Sequence, residues 1–215
     1  MVHAASACSL YFHFIHTPTS QLLRYAPGGS ITGMLRRFGA LPEETIRVYT
    51  LHILLGLNFL HSTNIVHRQA VRRDVCSLQI DAHFRDIKGS NVLVDTDGCC
   101  KLADFGCSKS LSDIADASPS FKGTMRFMAP EVVNGIDHGK PADVWALGCT
   151  IIEMLTARPP WAQFELPESA MFHVGSLKAT PPIPSHASSE LQDFLHCCFS
   201  SEPSERWTVR CIFRA

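Results

Sequence analysis

An α+β fold, mainly α-helical with short β-hairpins, is predicted by three stretches of this chain. From Leu41 to Leu60, apolar residues recur at spacings of three and four, the signature of a long helix with one buried stripe. Two apolar runs, Asn91–Asp95 and Cys99–Ala103, flank Thr96-Asp97-Gly98, whose Asp-Gly pair supplies hairpin turn chemistry. Asp143–Leu155 is apolar nearly all round after its opening Asp and therefore predicts a helix buried at the centre. With 215 residues, 46% of them hydrophobic, the chain can bury one substantial core.

Taken in order, residues 1–21 show no clean period. The apolar patch Leu10–Ile15 is short, is interrupted by His13, and has neither a basic leader nor a small-residue cleavage site, so no signal peptide is expected. Leu22–Ala26 reads as a short extended run ended by Pro27-Gly28-Gly29-Ser30. There Pro fixes one dihedral, the glycines permit a sharp turn, and Ser30 is placed to cap a helix. Leu41-Pro42-Glu43-Glu44 starts the next helix, with carboxylates at the positive end of its dipole. Its stripe is Ile46, Tyr49, Ile53, Leu57 and Leu60, and it should end near His61–Asn64.

Beyond the hairpin, Cys107–Met128 is polar and turn-prone and reads as a mobile loop closed by Ala129-Pro130-Glu131. The buried helix after Asp143 should stop at Pro159-Pro160-Trp161. Pro181–Pro184 then leads to an amphipathic helix through Leu191, Phe194, Leu195 and Cys198. No internal repeat or low-complexity tract is present.

A net charge of −1 argues against nucleic-acid binding. Nine cysteines without a C-x-x-C spacing read as reduced thiols, several of them packed as small core residues, and not as a zinc framework. No segment is long enough to span a membrane, and a cytoplasmic location is expected.

The chemistry is concentrated in Asp86-Ile87-Lys88-Gly89-Ser90-Asn91 and Asp104-Phe105-Gly106. The hairpin starts at Asn91 and finishes at Asp104, so its geometry brings two oxygen-bearing, metal-capable side chains together. With Tyr25-Ala26-Pro27-Gly28-Gly29-Ser30 before them and Ala129-Pro130-Glu131, Asp143-Val144-Trp145 and Arg206 after them, these motifs follow a set order. In that order the chain from about Leu22 resembles the hinge and lower, C-terminal lobe of a eukaryotic protein kinase. Lys88 within Asp-Ile-Lys-Gly-Ser-Asn is similar to the serine/threonine form. Pro-Gly-Gly-Ser-Ile and Phe121-Lys122-Gly123-Thr124…Phe127-Met128-Ala129-Pro130-Glu131 look most like the MAP kinase kinase kinases.

The resemblance implies ATP and Mg2+ as cofactors and a protein substrate, a MAP kinase kinase; it implies no oligomeric state. Asp86 would orient the acceptor hydroxyl or take its proton, Lys88 would neutralise the transferring phosphoryl, and Asn91 and Asp104 would hold magnesium. Thr124 would stand beside Asp86 and Lys88 and help define a Ser/Thr acceptor. Backbone groups near Arg24 and Ala26 would meet adenine, and Ser30 is counted with the nucleotide-binding residues. Ser118 and Ser120 are candidate phosphorylation switches. Asp143 should anchor catalytic-loop N–H groups, and Glu131 should pair with Arg206.

The chain departs from the family's pattern in two places. No G-x-G occurs, and residues 1–21 offer neither the upper-lobe Lys nor its helix Glu. They read as an irregular remnant of an N-lobe or a mispredicted leader, so most of the N-terminal lobe is expected to be missing. Gln69–Arg85 also separates Asn64-Ile65-Val66-His67-Arg68 from Asp86; without it the loop would run uninterrupted. Either Phe84-Arg85-Asp86 takes the motif's places, or Asp86 is pulled out of position. The alternative function is accordingly an impaired kinase fragment or pseudokinase, binding partners through the surface around Pro159-Pro160-Trp161.

Overall fold

The computed structural model describes residues 26–62, 86–103, 123–136 and 139–213. Residues 1–21, the run to Arg24, the insert 69–85, the loop bearing Asp104, Ser118 and Ser120, and His67-Arg68 lie outside them.

Ala26–Ser30 forms a turn in which Gly29 N donates to Ala26 O at 3.0 Å. Ser30 then caps α1 (Ile31–Phe38), its Oγ accepting from Gly33 N at 3.1 Å. The turn is laid against the hairpin: Gly28 N donates to Val94 O at 3.1 Å, and Val94 N to Gly29 O at 2.8 Å. A Cβ on residue 28 would stand 2.5 Å from Val94 O, so this approach requires glycine.

Helix α2 (Glu43–Ser62) buries Ile46, Tyr49, Ile53 and Leu57 of the stripe read from the sequence, while its last member, Leu60, is only half-buried. Strands β1 (Val92–Val94) and β2 (Cys100–Leu102) pair antiparallel, with Val92 opposite Leu102 and Val94 opposite Cys100. In the connecting turn Asp97 Oδ1 accepts from Cys99 N at 3.0 Å. The hairpin rests on α2, where His52 Nδ1 accepts from Cys100 N at 3.3 Å.

After the short helix α3 (Pro130–Val133) comes α4 (Lys140–Thr156), in which every residue from Ala142 to Leu155 is buried. It crosses α2 on one side and, on the other, α6 (Ser189–Cys198). Trp145 packs edge-to-face on Phe199 at 5.1 Å. Helix α5 (Pro167–Gly175), absent from the sequence reading, buries only Ala170 and Val174, and α7 (Val209–Ile212) closes the lobe. The described part is thus mainly helical with one two-stranded sheet.

The Pro-Pro-Trp surface is not what the sequence suggested. Trp161 is 4% exposed, stacks on Phe164 at 6.0 Å, and gives its carbonyl to Arg126 Nη1 at 2.7 Å. Arg126 also donates to the carbonyls of Phe164 and Glu165, so a buried cation organises a segment that sequence patterning assigned to a binding surface. Burial pushes the Cys149 and Cys198 thiols up, which keeps them protonated core residues. Among the described residues no His, Cys, Asp or Glu cluster could hold a metal ion, and no helix is long and apolar enough to cross a membrane.

Candidate active site

Asp86, Lys88 and Asn91 lie on the segment that leads through a 3-10 turn (Gly89–Asn91) into β1. The turn's tight backbone lets Asn91 fold back: its Nδ2 donates to Asp86 O at 2.8 Å and to Asp86 Oδ2 at 3.1 Å. Lys88 Nζ lies 2.6 Å from Asp86 Oδ2 and donates to Thr124 Oγ1 at 2.6 Å. Thr124 Oγ1 is itself 3.4 Å from Asp86 Oδ2. Three residues, the farthest 38 positions from Asp86, therefore converge on one of its carboxylate oxygens.

The other oxygen, Asp86 Oδ1, is buried and has no hydrogen-bond partner among the described residues. An orphaned carboxylate oxygen is costly unless something arrives to donate to it. Lys88 and Thr124 are buried, so the Lys88–Asp86 pair is shielded from solvent and holds the carboxylate oriented.

Asn91 directs its nitrogen at Asp86, which leaves Oδ1 as a hard oxygen donor with only a long 3.5 Å contact from Ser90 Oγ. Asn91 O also accepts from Ala103 N at 2.8 Å, and Asp104 is the next residue in the chain. This oxygen chemistry fits a magnesium ion. Arg24 and Asp104 lie outside the described residues. Ala26 and Ser30 sit in the turn docked on β1, where the Ala26 carbonyl closes the turn and the Ser30 hydroxyl caps α1.

Two structural ties frame the site. Asp143 Oδ2, at the start of α4, accepts from His61 Nε2 at 2.7 Å, and Lys140 Nζ donates to the His61 carbonyl at 2.8 Å. The end of α2 is thereby pinned to the start of α4. Glu131 and Arg206 form a two-pronged pair at 2.7 and 3.0 Å, with the guanidinium 5.1 Å over the Trp145 ring.

Sequence reasoning missed Glu153, which lies in the apolar run of α4. Its Oε2 accepts from Gly89 N at 3.1 Å and its Oε1 from Thr32 Oγ1 at 2.7 Å. Burial raises the Glu153 carboxyl above its ordinary value; the Thr32 and Gly89 hydrogen bonds, Arg36 and Lys88 pull the other way without cancelling it. A carboxyl with a raised folded-state pKa binds protons more tightly folded than unfolded. Its charge therefore costs stability in full above the folded value, and the cost fades as pH falls toward the ordinary carboxylate range. Glu153→Gln should accordingly raise the melting temperature at pH 8, with the gain shrinking toward pH 4, as thermal scans across pH will show.

The protein kinase domain family matches residues 79–215. Over 187 residues, 87% of this chain, it is 47% identical to mitogen-activated protein kinase kinase kinase A of Dictyostelium discoideum. It is 46% identical over 190 residues, again 87% of the chain, to mitogen-activated protein kinase kinase kinase 2 of Arabidopsis thaliana. To mitogen-activated protein kinase kinase kinase 15 of Mus musculus it is 43% identical over 191 residues, 87% of the chain. These matches cover 18%, 27% and 13% of the respective relatives' lengths. A family match over more than half the chain, with such identities beyond it, means that the chain belongs to the protein kinase family and is of the MAP kinase kinase kinase-like type.

Proposed function

We propose that the protein is a serine/threonine protein kinase of a MAP kinase cascade, transferring the terminal phosphoryl of ATP to a Ser or Thr of a MAP kinase kinase in the cytoplasm. The observation that carries this reading is the Asp86 carboxylate. One oxygen is held by Lys88, Asn91 and the neighbouring Thr124, and the other is buried with no hydrogen-bond partner among the described residues.

Asp86 Oδ1 accepts the hydrogen bond of the acceptor hydroxyl, orients its oxygen for in-line attack and receives its proton as the new bond to the γ-phosphorus forms and the bond from that phosphorus to the β,γ-bridging oxygen breaks, ADP leaving with the bridging oxygen. Lys88, 2.6 Å from both Asp86 Oδ2 and Thr124 Oγ1, is the cation nearest the transferring group and offsets its charge. Thr124, held by Lys88, borders the position of the acceptor side chain and favours a small hydroxyl residue. Asn91 Oδ1 and Asp104 would hold magnesium, which would supply positive charge to offset that of the ATP phosphates. Arg24, Ala26 and Ser30 are the residues assigned to the nucleotide.

Incubation of the purified chain with ATP, magnesium and a recombinant MAP kinase kinase tests the reading. Phosphate should appear on Ser or Thr of the substrate and should vanish with EDTA. Incorporation no greater than the EDTA control would reject catalysis by this chain.

A further inference from the structure

The Glu153 carboxylate bonds neither Asn91 nor Asp86 among the described residues, yet it joins three elements that the chain keeps far apart. Thr32 is on α1, directly after the turn docked on β1; Glu153 is on α4; Gly89 is between Lys88 and Asn91. The carboxylate is 7% exposed, and both of its oxygens are engaged. The fit is tight: a Cβ at residue 89 would stand 2.6 Å from Glu153 Oε2 and 2.8 Å from Thr32 Oγ1. Glycine at 89 is what lets a carboxylate reach the loop's backbone.

We propose that Glu153 is a positioning residue for phosphoryl transfer, clamping the Gly89 N–H and the Thr32 hydroxyl so that the catalytic loop and α1 are set in one frame by the central helix. This rests on the kinase reading above. The physical warrant is leverage. Lys88 and Asn91, immediately and two residues from the clamped amide, both bond Asp86. A shift of the Gly89 backbone therefore moves both partners of that carboxylate, and about 1 Å of misplacement costs on the order of a hundredfold in rate.

The test uses the full chain and four variants: Glu153→Ala, Glu153→Gln, Thr32→Val and Gly89→Ala. Glutamine keeps both links, its Oε1 accepting from Gly89 N and its Nε2 donating to Thr32 Oγ1. Hydrogen exchange of a peptide covering residues 86–91 and of one within α4 is followed beside substrate phosphorylation. Glu153→Ala should speed exchange at 86–91 at least tenfold with α4 nearly unchanged, and lower kcat about tenfold to a hundredfold with KM for the acceptor within about threefold. Glu153→Gln should restore both readouts, and Thr32→Val and Gly89→Ala should fall between. Unchanged exchange at 86–91 in Glu153→Ala, or faster exchange in α4 to the same extent, would overturn the proposal. So would failure of glutamine to rescue exchange. Should Glu153→Ala not fold, Thr32→Val and Gly89→Ala decide by the same comparison. A wild-type chain that transfers no phosphate would reject the kinase reading, while the exchange data would still settle whether the clamp sets the loop.

Discussion

Arg206→Leu should destabilise the protein by about 3–5 kcal/mol, because it strands a buried carboxylate. Glu131 is 4% exposed and both of its oxygens are met by Arg206, so the variant leaves a charge with neither water nor a counter-ion. The same guanidinium donates to Pro141 O at 3.0 Å and Ser200 O at 2.9 Å, so two half-buried carbonyls lose a donor as well. The loss therefore reaches α3, the first turn of α4 and the segment after α6 at once. For a chain of this size it corresponds to a melting temperature lowered by roughly 6–20 °C. Urea unfolding gives the free energy directly. The double variant Glu131→Leu with Arg206→Leu should recover much of the loss, because the stranded charge is gone. A double variant no more stable than Arg206→Leu would show that the guanidinium acts through the two carbonyls and not through Glu131.

Asp86→Asn should lower the rate of phosphate transfer by about a hundredfold to ten-thousandfold, the range for loss of a positioned general base. The substitution preserves volume and can keep an oxygen toward Lys88. In that pose an amide NH2 occupies the place of Oδ1, presenting a donor to a hydroxyl that needs an acceptor. ATP binding should change little, because Asp86 faces the acceptor. Initial rates with an unchanged circular dichroism spectrum would identify the loss as chemical. A rate within a factor of three of wild type would remove Asp86 from the reaction.

The sequence made those features legible that depend on local period or on turn chemistry. The α2 stripe, the Asp97-Gly98 hairpin and the continuous burial of α4 follow from spacings of three and four, from Asp-Gly turn chemistry and from a nearly unbroken apolar run. The catalytic cluster was legible as an ordered set, and the structure brings Asp86, Lys88, Asn91 and Thr124 to one point. Other features depend on partners distant in the chain. Glu153 is one polar letter in an apolar helix, and nothing near it in sequence names Gly89 or Thr32, 64 and 121 positions away. Helix α5 escaped notice because it buries only two side chains and so writes no stripe. Trp161 was misread because a Pro-Pro-Trp segment has no period, and only Arg126, 35 positions earlier, reveals why it turns inward.

A helix with no face left for water has a consequence for how the chain reaches this state. Helix α4 cannot be stable alone, since its apolar surface is shielded only once α2, from earlier in the chain, and α6, from later, have closed on it. Its enclosure is therefore a non-local event that must bear loop-closure entropy before any packing is gained. The lobe should thus have no partly assembled form worth populating: either the enclosing helices are both in place, or none of the three holds. Because Asp143, Glu153 and the Trp145 ring beneath Arg206 all project from that one helix, the cooperativity of folding and the alignment of the candidate site are the same event.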